Sequence, residues 1–271
     1  MILSAVTVSL VPEARGGPFI FWDDLEAACA SASRLGFDAI ELFAPSASEV
    51  AVAELDGLLT RYRLRLAAVG TGAGMVKHRL SLTDPDAERR KQARLFAGSL
   101  IEFGSHFGAP AIIGSMQGRC ATPADRPQAL AWLRDALEEL GQLAQQRGSK
   151  LIFEPVNRYE TNLINSIVDG AAFVQSLSLS NVGVLADLFH MNIEESSLEQ
   201  AIRQVGKSIA HVHFADSNRR PAGNGHTDFP KVIAALREIG YHGYLSAEAL
   251  AWPDSETAAA TTIHTFKQLI S

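Results

Sequence analysis

The chain has 271 residues, 47% hydrophobic and 20% charged, which suits a globular protein with one large α/β barrel or two small domains. A net charge of −6 argues against a general nucleic-acid binder, and no apolar stretch approaches the ~20 residues of a membrane span. Cys29 and Cys120 lie far apart in no metal spacing, as expected of unlinked thiols in a reducing, cytoplasmic compartment.

Residues 2–9 open apolar without a basic lead and read as a first strand rather than a signal peptide. Further strands are expected at 38–42, 64–69, 110–114, 150–154, 182–187, 208–213 and 243–248, making eight. Amphipathic stretches lie between them. Residues 86–107 read as a helix, as do 128–147, where Leu130, Leu133, Leu137, Leu140 and Ala144 recur at three- and four-residue spacing. Residues 230–239 open on Pro230, suited to a first helical turn. Alternating units without a composition break predict a single domain over 1–271, a (β/α)8 TIM barrel, with a doubly wound open sheet as the alternative. The long segments 70–85 and 214–229 follow strands, and in a barrel such loops form the mouth where catalysis occurs.

Four of the apolar runs stop on a metal-binding side chain: LIFE on Glu154, VGVLAD on Asp187, IAHVH on His213 and YLSAE on Glu248. The gaps of 33, 26 and 35 residues each fit one strand–helix unit. Side chains alternate along a strand, so inward-facing donors leave Phe153, Ala186, Val212 and Ala247 facing the helices, and no charge is forced into that layer. Three carboxylates and one imidazole suit one divalent ion, Mn²⁺, Mg²⁺ or Co²⁺, and accommodate Zn²⁺. The bland reading of each is a satisfied core polar group or a salt bridge at the mouth. His211 shares the inward face of His213 at greater depth and reads as a hydrogen-bonded supporting group rather than a ligand.

The segments EPVNRYETN (154–162), ADLFHMN (186–192), HVHFADSNRRPAGNGHTDF (211–229) and YLSAE (244–248) resemble the sugar isomerase/epimerase family with a xylose-isomerase-like barrel. The D-tagatose 3-epimerase group is nearest, with hydroxypyruvate isomerase and inosose-processing enzymes beside it. Before residue 110 the likeness rests on strand–helix rhythm and AIELF (39–43). The resemblance implies a metal held by Glu154, Asp187, His213 and Glu248, with Glu154 and Glu248 also serving as the acid/base pair. It implies substrate-oxygen contacts from Glu160, His190 and Arg219, and pocket-shaping positions near Trp22, Phe43 and Gly70. His190 is expected in the loop beyond Asp187. It also implies a homo-oligomer, dimer or tetramer, although no sequence pattern fixes an interface.

The implied reaction removes a proton from carbon beside a ketose carbonyl and returns one, through a metal-stabilised cis-enediolate. An inosose dehydratase on the same scaffold is the alternative. An endonuclease IV-like reading would recruit Asp187, His190, His213, His226, Asp228 and Glu248. It lacks histidines at the third and fourth strand ends, GTGAG (70–74) and GSMQG (114–118). A non-catalytic sugar-binding barrel would not need the acid/base pair. PAGNGH (221–226) follows the seventh strand, where many barrels bind phosphate, but reads more simply as a turn, which favours a free sugar.

Overall fold

A computed structural model describes residues 1–270. Eight parallel strands form the barrel: β1 (Leu3–Ser9), β2 (Ala39–Phe43), β3 (Arg65–Gly70), β4 (Ala111–Ile113), β5 (Leu151–Phe153), β6 (Val182–Asp187), β7 (Ile209–His213) and β8 (Tyr244–Ala247). Neighbours in sequence pair in space, and β8 returns to β1 in the register Leu3↔Tyr244 to Val6↔Ala247, closing the ring. The closed sheet rules out the doubly wound alternative. A further two-residue strand, Phe21–Trp22, adds to the mouth end of β1.

The outer layer is α1 (Leu25–Leu35), α2 (Val52–Tyr62), α3 (Ala87–Ser105), α4 (Arg126–Gln146), α5 (Ile167–Gln175), α6 (Leu198–Val205), α7 (Phe229–Glu238) and α8 (Ser255–Ile270). Local chemistry starts several of these helices. Asp24, Ser166, Ser197 and Asp228 accept backbone N–H bonds at the first turns of α1, α5, α6 and α7. Along α4, Leu133, Leu137, Leu140 and Ala144 are buried, the face expected from their spacing.

Two apolar layers result. Ile152 and Leu185 pack with Ala68 and Ile112 inside the barrel. Phe153, Ala186, Val212 and Ala247 belong to the larger core between strands and helices. This alternation turns the terminal polar group of each strand inward rather than into the helix layer. No helix among the described residues is long and apolar enough to cross a membrane.

Candidate active site

Glu154 and Glu248 each stand one residue past a strand. The Glu154 N–H still donates to Ile113 O at 2.9 Å, and its carbonyl accepts from buried Gln117 Nε2 at 3.1 Å, so its backbone continues the sheet by one bond. After Ala247 the chain turns sharply, with the Glu248 N–H donating to Ser246 O at 2.9 Å. Asp187 and His213 face each other in register on β6 and β7. Four ligand atoms, one each from Glu154, Asp187, His213 and Glu248, lie within 4.8 Å of one another. His213 Nδ1 is the hub, 3.1 Å from Asp187 Oδ2, 3.2 Å from Glu248 Oε2 and 3.4 Å from Glu154 Oε1.

Three carboxylates around one nitrogen are tolerable in a buried site only if something positive balances them. Without an ion, two groups do. One is His213. Burial opposes its charging, but Glu248 and Glu41, helped by Asp187 and Glu154, hold it well above the ordinary histidine range. The other is Arg219, whose Nη1 lies 2.6 Å from Asp187 Oδ2 and whose Nη2 bonds Glu248. Burial pushes Glu154 up to about 7; His213 opposes this, while Glu248 and Asp187 add to it. Burial would also raise Asp187, but Arg219, His190 and His213 hold it well below the usual carboxylate range. A compact, oxygen-rich donor set of three carboxylates and one imidazole fits a hard divalent ion.

Glu154 reaches the hub because residue 114 is glycine. A Cβ there would lie 2.2 Å from Glu154 Oε2. Gly114→Ala is therefore expected to displace the carboxylate and to weaken divalent-ion binding by about 10-fold or more, the scale seen when a group that orients a donor is lost. Chelator competition measures this; wild-type affinity in a folded variant would contradict it.

His190 lies not in a loop, as the sequence suggested, but in a short helix, Leu188–Glu194. Asp187 caps that helix, with Oδ1 accepting from Phe189 N at 2.8 Å and His190 N at 3.1 Å. One carboxylate thus starts the helix through Oδ1 and faces the donor cluster through Oδ2. Asn157, whose role sequence reasoning missed, orients the imidazole. Its Oδ1 accepts from Tyr159 N at 2.9 Å, which turns Nδ2 toward Glu160 Oε1 at 3.1 Å and His190 Nδ1 at 2.7 Å. Nδ1 of His190 is then an acceptor and Nε2 carries the proton, facing Glu154 Oε1 and Asp187 Oδ2 at 3.9 Å each. Burial drives the His190 pKa down to about 4 despite Asp187, so the ring is neutral near pH 7. Glu160 sits at the rim with its side chain 47% exposed.

Arg219 adopts a left-handed backbone, φ +63°. Its N–H donates to Asp216 O at 2.9 Å and its carbonyl accepts from Leu250 N at 2.8 Å. Asp216 organises the Gly-rich loop. Its oxygens accept from Ser217 N (2.8 Å), Gly223 N (2.9 Å) and Thr227 N (3.0 Å). Burial works against the charge, but these backbone donors and that of Gly225 keep the Asp216 pKa low. The loop's own carboxylate occupies this nest of backbone donors.

The cluster opens into a cavity of about 480 Å³, within the range of small-molecule sites. Glu160, His190, Arg219, Phe43 and Gly70 line it. Trp22 does not. It packs edge-on against Phe19 (ring centroids 5.4 Å), and Phe19 reaches the cavity in its place, 4.5 Å from the Phe43 ring. Glu41 and the segment 13–18 also line the cavity, and sequence reasoning singled out neither. His211 is buried and bonded to Glu41 rather than included in the four-donor set. His226 and Asp228 also lie outside that set, so the multi-metal endonuclease arrangement does not assemble among the described residues.

Residues 29–269 match the family described as "Xylose isomerase-like TIM barrel", and the chain belongs to that family. It is 30% identical over 220 residues to a D-psicose 3-epimerase of Agrobacterium fabrum, covering 80% of this chain and 76% of that protein. An L-ribulose 3-epimerase of a Methylomonas species is 28% identical over 263 residues, covering 89% and 90%. The crystal structure of D-psicose 3-epimerase with D-tagatose from Clostridium cellulolyticum H10 shares the fold, with a TM-score of 0.81, 22% identity and 99% coverage of both chains. The chain is an enzyme of this epimerase/isomerase class.

Proposed function

We propose that this enzyme epimerises an unphosphorylated ketose at the carbon next to its carbonyl, C3, with Glu154 and Glu248 exchanging the proton. The single observation that carries the reading is the convergence of three carboxylates on His213 Nδ1, within 3.4 Å, at the floor of a sugar-sized cavity. The relatives named above, both 3-epimerases, support C3 and a ketose. The nest filled by Asp216 supports a substrate without phosphate.

A divalent ion held by Glu154, Asp187, His213 and Glu248 would supply Lewis acidity, stabilising negative charge that develops on adjacent substrate oxygens. The chain's own groups do the rest. Glu154 extends from β5 and Glu248 from β8, so the two carboxylates flank the cluster from either end of four consecutive strands. One removes the proton from C3 and the other delivers one to the opposite face. Glu154, with a pKa of about 7 before any ion binds, is responsive enough to its neighbours to exchange a proton near neutrality. Neutral His190 presents Nε2–H to a substrate oxygen. Arg219 offers a planar fork of donors for adjacent oxygens. Glu160 accepts from a hydroxyl at the rim.

The test is deuterium uptake from heavy water into a panel of free ketoses, with and without EDTA and with Mn²⁺, Mg²⁺, Co²⁺ or Zn²⁺ restored. Chelator-sensitive uptake at C3 is expected. Uptake at C1 or C2 would replace epimerisation by aldose–ketose isomerisation, and water loss with a new enone chromophore would favour a dehydratase. Uptake that EDTA leaves unchanged would remove the metal from the reading.

A further inference from the structure

Beneath the donor cluster lies a second chain of polar contacts that the proposed chemistry does not use. Glu41, inward-facing on β2, reaches across the barrel to β7. Its Oε1 lies 3.0 Å from His213 Nε2, and its Oε2 lies 2.7 Å from His211 Nε2. Glu41, His211 and His213 are 4%, 1% and 1% exposed, so water does not compete for these bonds. The two imidazoles stand edge to face at 86°, each aimed at a different oxygen of one carboxylate.

An imidazole offers a metal one nitrogen, and the partner of its other nitrogen decides which. A carboxylate accepts only. Glu41 at Nε2 therefore keeps a proton there, so the nitrogen that gives up its proton to an ion is Nδ1, which faces Glu154, Asp187 and Glu248. His211 in turn fixes the second oxygen of Glu41, so the carboxylate cannot swing toward the cavity. Resting on the reading of His213 as a metal ligand, we propose that Glu41 is its positioning residue: it holds His213 as the Nε2–H tautomer with Nδ1 open to the ion, and His211 locks Glu41 in that pose.

Glu41, His211 and His213 could alternatively hold an ion of their own, since their ligand atoms also lie within 4.8 Å of one another. The observed separations of 2.7 and 3.0 Å are those of hydrogen bonds, and these bonds account for both carboxylate oxygens.

The experiment combines Mn²⁺ affinity, measured by chelator competition, with ¹⁵N NMR of the histidines in the Mg²⁺-loaded protein. Wild type should bind one ion and show His213 protonated at Nε2. Glu41→Ala should bind Mn²⁺ about 10- to 100-fold more weakly and show mixed tautomers. Glu41→Gln keeps one accepting oxygen of nearly the same shape, so it should fold even if the alanine variant does not. It should fall between wild type and alanine in affinity, with the Nε2–H tautomer largely kept. His211→Gln should lose less affinity than Glu41→Ala. A merely structural role would lower Tm while leaving affinity and tautomer as in wild type. That result, or two ions bound per wild-type chain, would overturn the proposal. Failure of wild type to bind any ion would instead overturn the metal reading on which it rests.

Discussion

Glu154→Gln and Glu248→Gln are each expected to lower kcat/KM by about 10³-fold or more while leaving the barrel folded. An amide keeps the size of the carboxylate and can still coordinate through oxygen, but it cannot accept a proton from carbon. The fold should tolerate both changes. Each residue lies beyond a strand end, and the bonds that hold Glu154 in the sheet come from its backbone: N–H to Ile113, carbonyl from Gln117. Removing one negative charge from a crowded buried cluster also relieves repulsion, since Glu248 and Asp187 help push Glu154 upward. Circular dichroism and Tm should therefore stay near wild type as turnover collapses. The variants should also separate the two half-reactions: blocking one carboxylate leaves the other able to exchange solvent deuterium into the epimer whose proton faces it. Near-normal turnover in either variant would defeat the acid/base assignment.

The second large effect concerns pH. Metal affinity should rise with pH, and binding should release protons in a number that changes with pH. At pH 6 the metal-free protein carries one proton on Glu154, which titrates at about 7, and one on His213, held well above 6.5. Both must leave, so release should approach two protons per ion. At pH 8 Glu154 is already ionised and release should fall toward one. His190, held near 4, is neutral throughout this range and contributes nothing. Stability without metal should run the other way. Glu154 and His213 both bind protons more tightly in the folded chain than in the unfolded one. Their contribution to stability is full below the unfolded values and is lost as pH rises through the folded ones. Between pH 6.5 and 8, metal-free Tm should fall with rising pH, whereas Tm with saturating Mn²⁺ should hold or rise. Calorimetry in buffers of different ionisation enthalpy measures the proton count. A count that does not fall between pH 6 and pH 8 would remove Glu154 from the groups that deprotonate on binding, and a count of zero would remove His213 as well.

The donor set was legible in the sequence because a buried strand has no packing reason to end on a charge. Four such endings at strand–helix spacing carried the fold and the cluster together. Glu41 carried no comparable mark. Within AIELF one inward polar residue reads as ordinary alternation, and its partners lie 170 and 172 residues away. Asn157 sat inside a recognised motif, yet its role comes from a side-chain amide whose orientation only the Tyr159 N–H reveals. The short helix at His190 escaped notice because its cap, Asp187, had already been read as the last residue of a strand. Segment 13–18 has no periodicity to read, and the resemblance that points to Trp22 is loose in this half of the chain, where Phe19 lines the cavity instead.

All four donors come from the second half of the chain, but the first half makes their geometry. Thr7 Oγ1 donates to Ala247 O at 2.7 Å and accepts from Ile20 N at 3.1 Å, tying the residue before Glu248 to the opening strand and to the mouth loop beyond it. A fragment holding every ligand would leave β8 as a free sheet edge and its last carboxylate on an untethered turn. The geometry of the four donors belongs to the closed circumference rather than to any stretch of sequence, so fusions or permutations that reopen the β1–β8 seam should damage the site before they damage the rest of the fold.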